Sequence, residues 1–165
     1  YLPWLEENKD QARQMITHSG YEMLQGRGVV QGRLIGGCVE VLEMVKETEL
    51  WPDPSAWNNA ILFLETSEDK PSPMYLEYWL RNYGTQGILQ RLQGLIVGKP
   101  YDNQYYHEYQ TSIRRILAEV DREDLPVLYN VSFGHTAPMT TLPMGALAEI
   151  DGQTASFSIL ESGVV

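Results

Sequence analysis

The chain has 165 residues, a length that suits one compact domain or two very small ones. Hydrophobic residues make up 43% and charged residues 21%, the balance of a globular protein rather than of a disordered tail or a fibre. It contains 12 Lys and Arg and 22 Asp and Glu, so the formal net charge is −10. A surface of this charge repels phosphate groups, so neither nucleic acid nor an anionic membrane is an expected partner. The single cysteine, Cys38, excludes an internal disulfide and a four-cysteine zinc site.

The chain begins at Tyr1 without a methionine or a signal-peptide pattern, and no apolar run reaches the roughly 20 residues needed to span a bilayer. We therefore expect a piece of a longer protein that functions in the cytoplasm. Residues 1–25 are expected to be a linker or the start of the domain, with residues 5–19 forming a linker or a surface helix. The domain itself is expected over residues 26–165.

Glycines divide the next segment into two predicted short strands, at residues 29–30 and 34–35, separated by glycine turns. A glycine pair, Gly36 and Gly37, then precedes a helical pattern of apolar residues at positions 39–45. Three continuous apolar runs further on predict strands buried on both faces. They lie at residues 60–64, 94–98 and 126–131.

Two longer helices are predicted between these strands. The first begins at Pro71 or Pro73 and ends at Gly84, and the second covers residues 105–120. A turn at residues 151–152 joins two segments that predict a C-terminal β-hairpin. The pattern indicates an α/β fold whose central sheet is mixed or parallel, with an antiparallel addition.

Two polar residues stand where function is common in α/β sheets, at or just beyond the carboxyl ends of buried strands. Glu65 ends the apolar run 60–64, and His135 follows the strand 126–131 after a short turn. A carboxylate on the Nδ1 of an imidazole fixes its tautomer and stabilises the imidazolium, so the pair forms two parts of a nucleophile-activating triad. From spacing alone, the favoured explanation is a strand-end surface acid and a loop histidine bonded to backbone.

Cys38 follows the glycine pair at the start of a predicted helix, where a thiol can acquire a lowered pKa and become a nucleophile. A small buried hydrophobic residue is the alternative for this position. The other histidines, His18 and His107, have no partner at metal-ligand spacing, so neither a metal site nor another cofactor is expected.

Five short motifs occur in a fixed order along the chain. They are GRLIGGC at residues 32–38, AILFLET at 60–66, GLIVG at 94–98, GHTAP at 134–138 and LPMG at 142–145. Together they resemble the C-terminal half of the serine LD-carboxypeptidases, in the branch that contains the microcin C immunity peptidases. The resemblance covers the chain from about residue 26 to residue 160.

This resemblance implies a swivelling β/β/α domain that contributes the glutamate and histidine of a Ser-Glu-His triad. The family motifs place these two catalytic residues at Glu65 and His135, and they imply substrate contacts at Cys38, Ser67 and Thr136. The serine belongs to an N-terminal domain that this chain lacks. We therefore expect a homodimeric carboxypeptidase-type amide hydrolase that acts on cell-wall L,D-peptides or peptidyl-nucleotides, and an isolated fragment that is inactive.

Two departures from the family pattern matter: Cys38 stands where the family often has asparagine, and the serine domain is absent. Trp4 lies in the general region of a loop tryptophan that stacks on adenine in relatives. Two other functions remain open from the sequence. One is a non-catalytic module of the same fold that binds a ligand or dimerises, and the other is a thiol enzyme that pairs Cys38 with His135.

Overall fold

The chain folds around one mixed sheet, seen in a computed structural model that describes residues 5–12 and 17–164. Over these residues the strands are β1 (Glu22–Gln25), β2 (Val29–Cys38), β3 (Ile61–Glu65), β4 (Gly94–Gly98), β5 (Val127–Val131), β6 (Leu147–Asp151) and β7 (Ser156–Ile159). The helices are α1 (Val39–Val45), α2 (Pro73–Thr85) and α3 (Tyr106–Glu119). The order across the sheet is β1-β5-β4-β3-β2-β6-β7.

Parallel strands form the centre of this sheet and antiparallel strands form both edges. Strands β2, β3, β4 and β5 pair in parallel, whereas β1 runs antiparallel to β5 and the β6–β7 hairpin runs antiparallel to β2. Every residue of β3, β4 and β5 is buried, as expected when both faces of a parallel sheet are covered. The predicted α/β fold, its parallel core and its C-terminal hairpin are confirmed.

Strand β2 corrects the prediction of two short strands separated by glycine turns. It is one ten-residue strand whose first half pairs with β6 and whose second half pairs with β3. Its glycines lie at close backbone contacts: a Cβ on Gly32 would lie 2.4 Å from the carbonyl oxygen of Asn59, and one on Gly36 would lie 1.8 Å from that of Phe63. The glycines therefore admit a neighbouring backbone rather than break the strand.

The close contact at Gly36 predicts a large loss of stability in Gly36→Ala. Because the clash is with backbone of the adjacent strand, the strands must separate, and we expect the free energy of unfolding to fall by about 3 kcal/mol or more. Gly37→Ala is the matched control, since its φ of 152° is close to the 159° of Gly36 but its Cβ would meet only the Leu42 side chain at 4.0 Å. Urea unfolding of both variants measures the difference, and equal losses would contradict the close contact.

The two longer helices cover one face of the sheet. Helix α2 buries Leu76, Leu80 and Tyr83. The apolar residues that α3 buries are Tyr109, Ile113, Ile116 and Leu117. This face holds the larger apolar core, which includes Trp57, and a smaller core lies on the other face. No helix within residues 5–12 and 17–164 is long and apolar enough to cross a membrane.

Candidate active site

Polar side chains converge at the carboxyl ends of the central strands. Glu65 is the last residue of β3, and Cys38, the last residue of β2, is its direct partner in the parallel ladder. His135 lies in the turn after β5 and reaches the same end of the sheet. Parallel pairing thus brings together residues that lie up to 97 positions apart in sequence.

Glu65 and His135 are in direct contact. The His135 Nδ1 lies 2.8 Å from Glu65 Oε2, and the backbone N–H of His135 donates to the same oxygen at 3.2 Å. The Glu65 side chain is 7% exposed and that of His135 is 37% exposed. One buried oxygen therefore holds both the backbone and the ring of His135, an arrangement that favours the proton on Nδ1 and leaves Nε2 as the basic nitrogen.

Two glycines make room for the Glu65 side chain. A Cβ on Gly98, the last residue of β4, would lie 2.8 Å from the Glu65 Cβ. A Cβ on Gly134 would lie 2.5 Å from both the Cγ and the Oε2 of Glu65, and Gly134 has a φ of +82°. The carboxylate consequently fits between β4 and the histidine turn only because neither neighbour has a side chain.

Cys38 lies beside this pair, but its thiol is not activated. Burial raises the pKa of Cys38 to about 12; a backbone hydrogen bond at Val41 opposes the rise and the charges of Glu65 and Glu40 add to it. The predicted position at the start of a helix is confirmed, since α1 begins at Val39. The alternative of a reactive thiol therefore loses its support, because burial, together with the charges of Glu65 and Glu40, outweighs the stabilisation that a helix start gives a thiolate.

Glu40, in the first turn of α1, ties the loop after β3 to the helix. Its Oε1 accepts hydrogen bonds from the backbone N–H and the hydroxyl of Ser67, at 2.9 and 2.6 Å. Its Oε2 accepts from the Cys38 Sγ at 3.4 Å. The Ser67 hydroxyl is therefore engaged within the chain, and its contact with substrate stays a prediction.

Glu68 adds a second carboxylate to the histidine, on the side opposite Glu65. Its Oε2 lies 3.1 Å from His135 Nε2, and its side chain is 42% exposed. Partial burial lowers the pKa of His135, but the hydrogen bond to Glu65 and the charges of Glu65, Glu68 and Glu40 outweigh it, so the net pKa is raised. The acids around this ring therefore favour the imidazolium form.

Removing the Glu68 charge is expected to lower the pKa of His135. Glu68→Gln keeps the size of the side chain but removes a negative charge near Nε2, so the imidazolium loses part of its stabilisation. NMR titration of the His135 ring protons over about pH 5 to 8 measures this change. Glu123→Gln, at an exposed acid on the loop before β5, serves as the control. An identical His135 titration in both variants would show that Glu68 does not interact with the ring.

The remaining predicted residues have simpler surroundings. Thr136 is half-buried beside His135, and its backbone N–H donates to the Gly134 carbonyl at 2.9 Å, so its substrate contact stays a prediction. His18 is held by backbone, with Nε2 3.3 Å from the carbonyl oxygen of Asn130, and His107 is exposed on α3. Trp4 lies outside the described residues.

Sequence reasoning missed Glu40, Glu68 and Gly98. Glu68 stands three residues after Glu65, but the spacing gives neither the direction of its side chain nor its distance from His135. Glu40 has the signature of an ordinary acid in the first turn of a helix. Only the fold shows that it reaches the loop after β3.

Comparisons with known proteins agree with this architecture. Residues 31–150 match the family model described as the LD-carboxypeptidase C-terminal domain. The Microcin C7 self-immunity protein MccF of Escherichia coli is 33% identical over 143 residues, which are 82% of this chain and 38% of MccF.

Solved structures show the same likeness. The MccF-like protein from Streptococcus pneumoniae superposes with a TM-score of 0.79 and 31% identity, covering 90% of this chain and 46% of that one. The MccF-like protein from Bacillus anthracis str. Ames gives a TM-score of 0.77 and 25% identity over 93% of this chain and 46% of that one. This chain spans less than half the length of these relatives. Since the family model covers most of its sheet and helices, the chain belongs to the LD-carboxypeptidase family, as a C-terminal domain.

Proposed function

We propose that this chain supplies the acid and the base of a Ser-Glu-His triad, and that a separate N-terminal domain supplies the serine. The observation that carries the proposal is the 2.8 Å contact between Glu65 Oε2 and His135 Nδ1, made by a buried carboxylate to a ring that is itself partly exposed. This is the geometry in which a carboxylate orients a general base.

Two observations support a serine outside residues 26–165. The chain covers 38% of the Escherichia coli relative and 46% of the Streptococcus pneumoniae one, which leaves room for another domain. Within the chain, Ser67 lies two residues beyond Glu65, and its hydroxyl already donates to Glu40. A nucleophile that approaches His135 Nε2 from a second domain fits the exposure of the ring.

The chemistry follows from these roles. His135 Nε2 takes the proton of the serine hydroxyl as its oxygen attacks the substrate carbonyl, and it then protonates the leaving nitrogen. Glu65 stabilises the imidazolium between these two steps. Water, deprotonated by the same nitrogen, hydrolyses the acyl-enzyme and releases the acid. During this sequence Glu68 has to leave Nε2 so that the serine can reach it.

Two related substrate classes are proposed, both with an amide at the end of a short peptide. The MccF-like protein of Streptococcus pneumoniae was solved with AMP, and MccF was solved with aspartyl sulfamoyl adenosine. These ligands support an aminoacyl or peptidyl group joined to a nucleotide. The family description supports the amide before the D-residue of a cell-wall L,D-peptide.

A homodimer is part of the proposal. Helix α2 carries Met74, Tyr75 and Tyr78, which are 53, 51 and 54% exposed, and this apolar strip supports a contact with a second copy of the chain.

A cytoplasmic location is also proposed, since the free thiol of Cys38 stays reduced there.

The test compares the complete protein, with its N-terminal half, and the 165-residue chain alone. Each receives aspartyl sulfamoyl adenosine and an L,D-tetrapeptide, and products are separated by chromatography and identified by mass. We expect the complete protein to hydrolyse one class and to react with a fluorophosphonate, a serine-directed label, while the chain alone does neither. Comparable hydrolysis by the chain alone would refute the proposal that the serine lies in another domain. Hydrolysis by neither protein would refute the proposed hydrolase activity.

A further inference from the structure

Three different metal-ligating side chains meet at the candidate site. Cys38, Glu65 and His135 each offer one ligand atom, and these atoms all lie within 4.8 Å of one another. They are held by the backbone, since Cys38 and Glu65 are ladder partners and the backbone N–H of His135 donates to Glu65. The cluster is therefore a property of the folded sheet and not of flexible surface side chains.

The ligand types select among metals. A sulfur, a ring nitrogen and a carboxylate oxygen suit Zn²⁺, whereas Mg²⁺ and Ca²⁺ prefer oxygen alone. With zinc–ligand bonds of about 2.0 to 2.3 Å, the ligand atoms of a tetrahedral site lie roughly 3.3 to 3.8 Å apart. Side-chain rotations that move these atoms by about an ångström would open the 2.8 Å contact between Glu65 and His135, shorten the longer separations and fit the cluster around an ion.

Charge and access favour a cation at the same place. Glu40 Oε2 lies 3.4 Å from the Cys38 Sγ, and Glu68 Oε2 lies 3.1 Å from His135 Nε2. Both carboxylates add negative potential around the three ligand atoms, within a chain whose net charge is −10. Because Cys38 and His135 are only partly buried, an ion can enter from solvent.

We propose that Cys38, Glu65 and His135 form a Zn²⁺ site, with water as the fourth ligand. On binding, the Sγ–H proton of Cys38 passes to the buffer and the sulfur binds as thiolate. The His135 proton moves from Nδ1 to Nε2, where Glu68 Oε2 at 3.1 Å accepts its hydrogen bond, and Nδ1 binds the metal. The metal takes the place of the hydrogen bond between Glu65 and His135, so a triad and a zinc ion exclude each other. The site does not depend on the proposed hydrolase, but within that enzyme zinc acts as an inhibitor, because Nε2 then carries the ring proton and cannot accept the proton of the serine.

The experiment titrates the metal-free 165-residue chain with Co²⁺, a spectroscopic substitute for Zn²⁺, and then displaces it with Zn²⁺. We expect one ion per chain, a thiolate-to-cobalt charge-transfer band and the intense visible bands of a tetrahedral ion. Cys38→Ser should lose the charge-transfer band, and its affinity for Zn²⁺, measured by competition with a chelating dye, should fall at least tenfold. His135→Ala should weaken binding by a similar factor.

His107→Ala is the matched control, because it removes an exposed histidine that lies on α3 and is not one of the three ligands. Its binding should equal that of the unaltered chain, and circular dichroism verifies that each variant is folded. The proposal is overturned by equal zinc affinity in Cys38→Ser and the unaltered chain, by a cobalt spectrum without a thiolate band, or by the absence of stoichiometric binding. Failure of the hydrolase assay leaves these readouts unchanged, so the two proposals are tested separately.

Discussion

In the proposed hydrolase, His135→Ala is expected to lower kcat/KM by at least about a thousandfold while the protein remains folded. The ring contacts Glu65 Oε2 and acts as both base and acid in the proposed reaction, so its loss removes the two functions together. Since the side chain is 37% exposed, its truncation leaves little cavity and should cost little stability. The expected separation of activity from stability is what distinguishes a catalytic role from a structural one.

Steady-state kinetics on the substrate that the complete protein hydrolyses measures the effect, and thermal unfolding measures the stability. His107→Ala is the control for loss of a histidine at an exposed position and should keep full activity. Catalysis also needs neutral His135, so activity should rise with pH through the raised pKa of this group. An active His135→Ala enzyme would remove the residue from the mechanism.

The sequence predicted the site better than it predicted the strand that borders it. Three continuous apolar runs identified the central strands, because residues buried on both faces of a parallel sheet leave a local signal. A polar residue at or just beyond the end of such a run is equally local, and it located Glu65 and His135. That the two side chains touch is a property of the fold, which the order of the motifs anticipated through the family resemblance.

Strand β2 shows why glycine was misinterpreted. Gly32 and Gly36 break a strand pattern in sequence, but in the fold each faces a backbone oxygen that a Cβ would overlap. A turn glycine and a close-approach glycine look the same in one sequence, since the neighbour that distinguishes them lies about 27 residues further along the chain, at Asn59 or Phe63.

The carboxylates around Cys38 could not be predicted from the sequence either. A thiol at a helix start predicts a lowered pKa when only the helix is considered. In the fold, Glu65 comes from the neighbouring strand, Glu40 folds back from the first helical turn, and burial removes the solvent that would stabilise a thiolate. Burial and the two carboxylates thus favour the unreactive alternative for Cys38, and the pairing of β2 with β3 also assembled the cluster proposed to bind zinc.

Gly134→Ala is expected to disrupt the candidate site. Its Cβ would overlap the Glu65 carboxylate at 2.5 Å, so either Glu65 or the histidine turn has to move, and the 2.8 Å contact to Nδ1 breaks. The alanine also has to adopt a φ near +82°, which costs about 1 to 2 kcal/mol in itself. Without the hydrogen bond to Glu65, the pKa of His135 should fall, and the complete enzyme should lose activity by about a hundredfold or more.

Gly145→Ala separates backbone strain from the steric clash. Gly145 has a φ of +81°, nearly that of Gly134, but a Cβ there would meet no atom within 4 Å. Both variants should therefore lose the stability that the left-handed backbone costs, while only Gly134→Ala should also shift the His135 titration in the chain and reduce activity in the complete protein. If the two variants changed the His135 pKa equally, the packing of Gly134 against Glu65 would not be what holds the pair together. If neither changed it, the ring would owe its raised pKa to the surrounding acids, because the charges of Glu68 and Glu40 persist when the Glu65 hydrogen bond is lost.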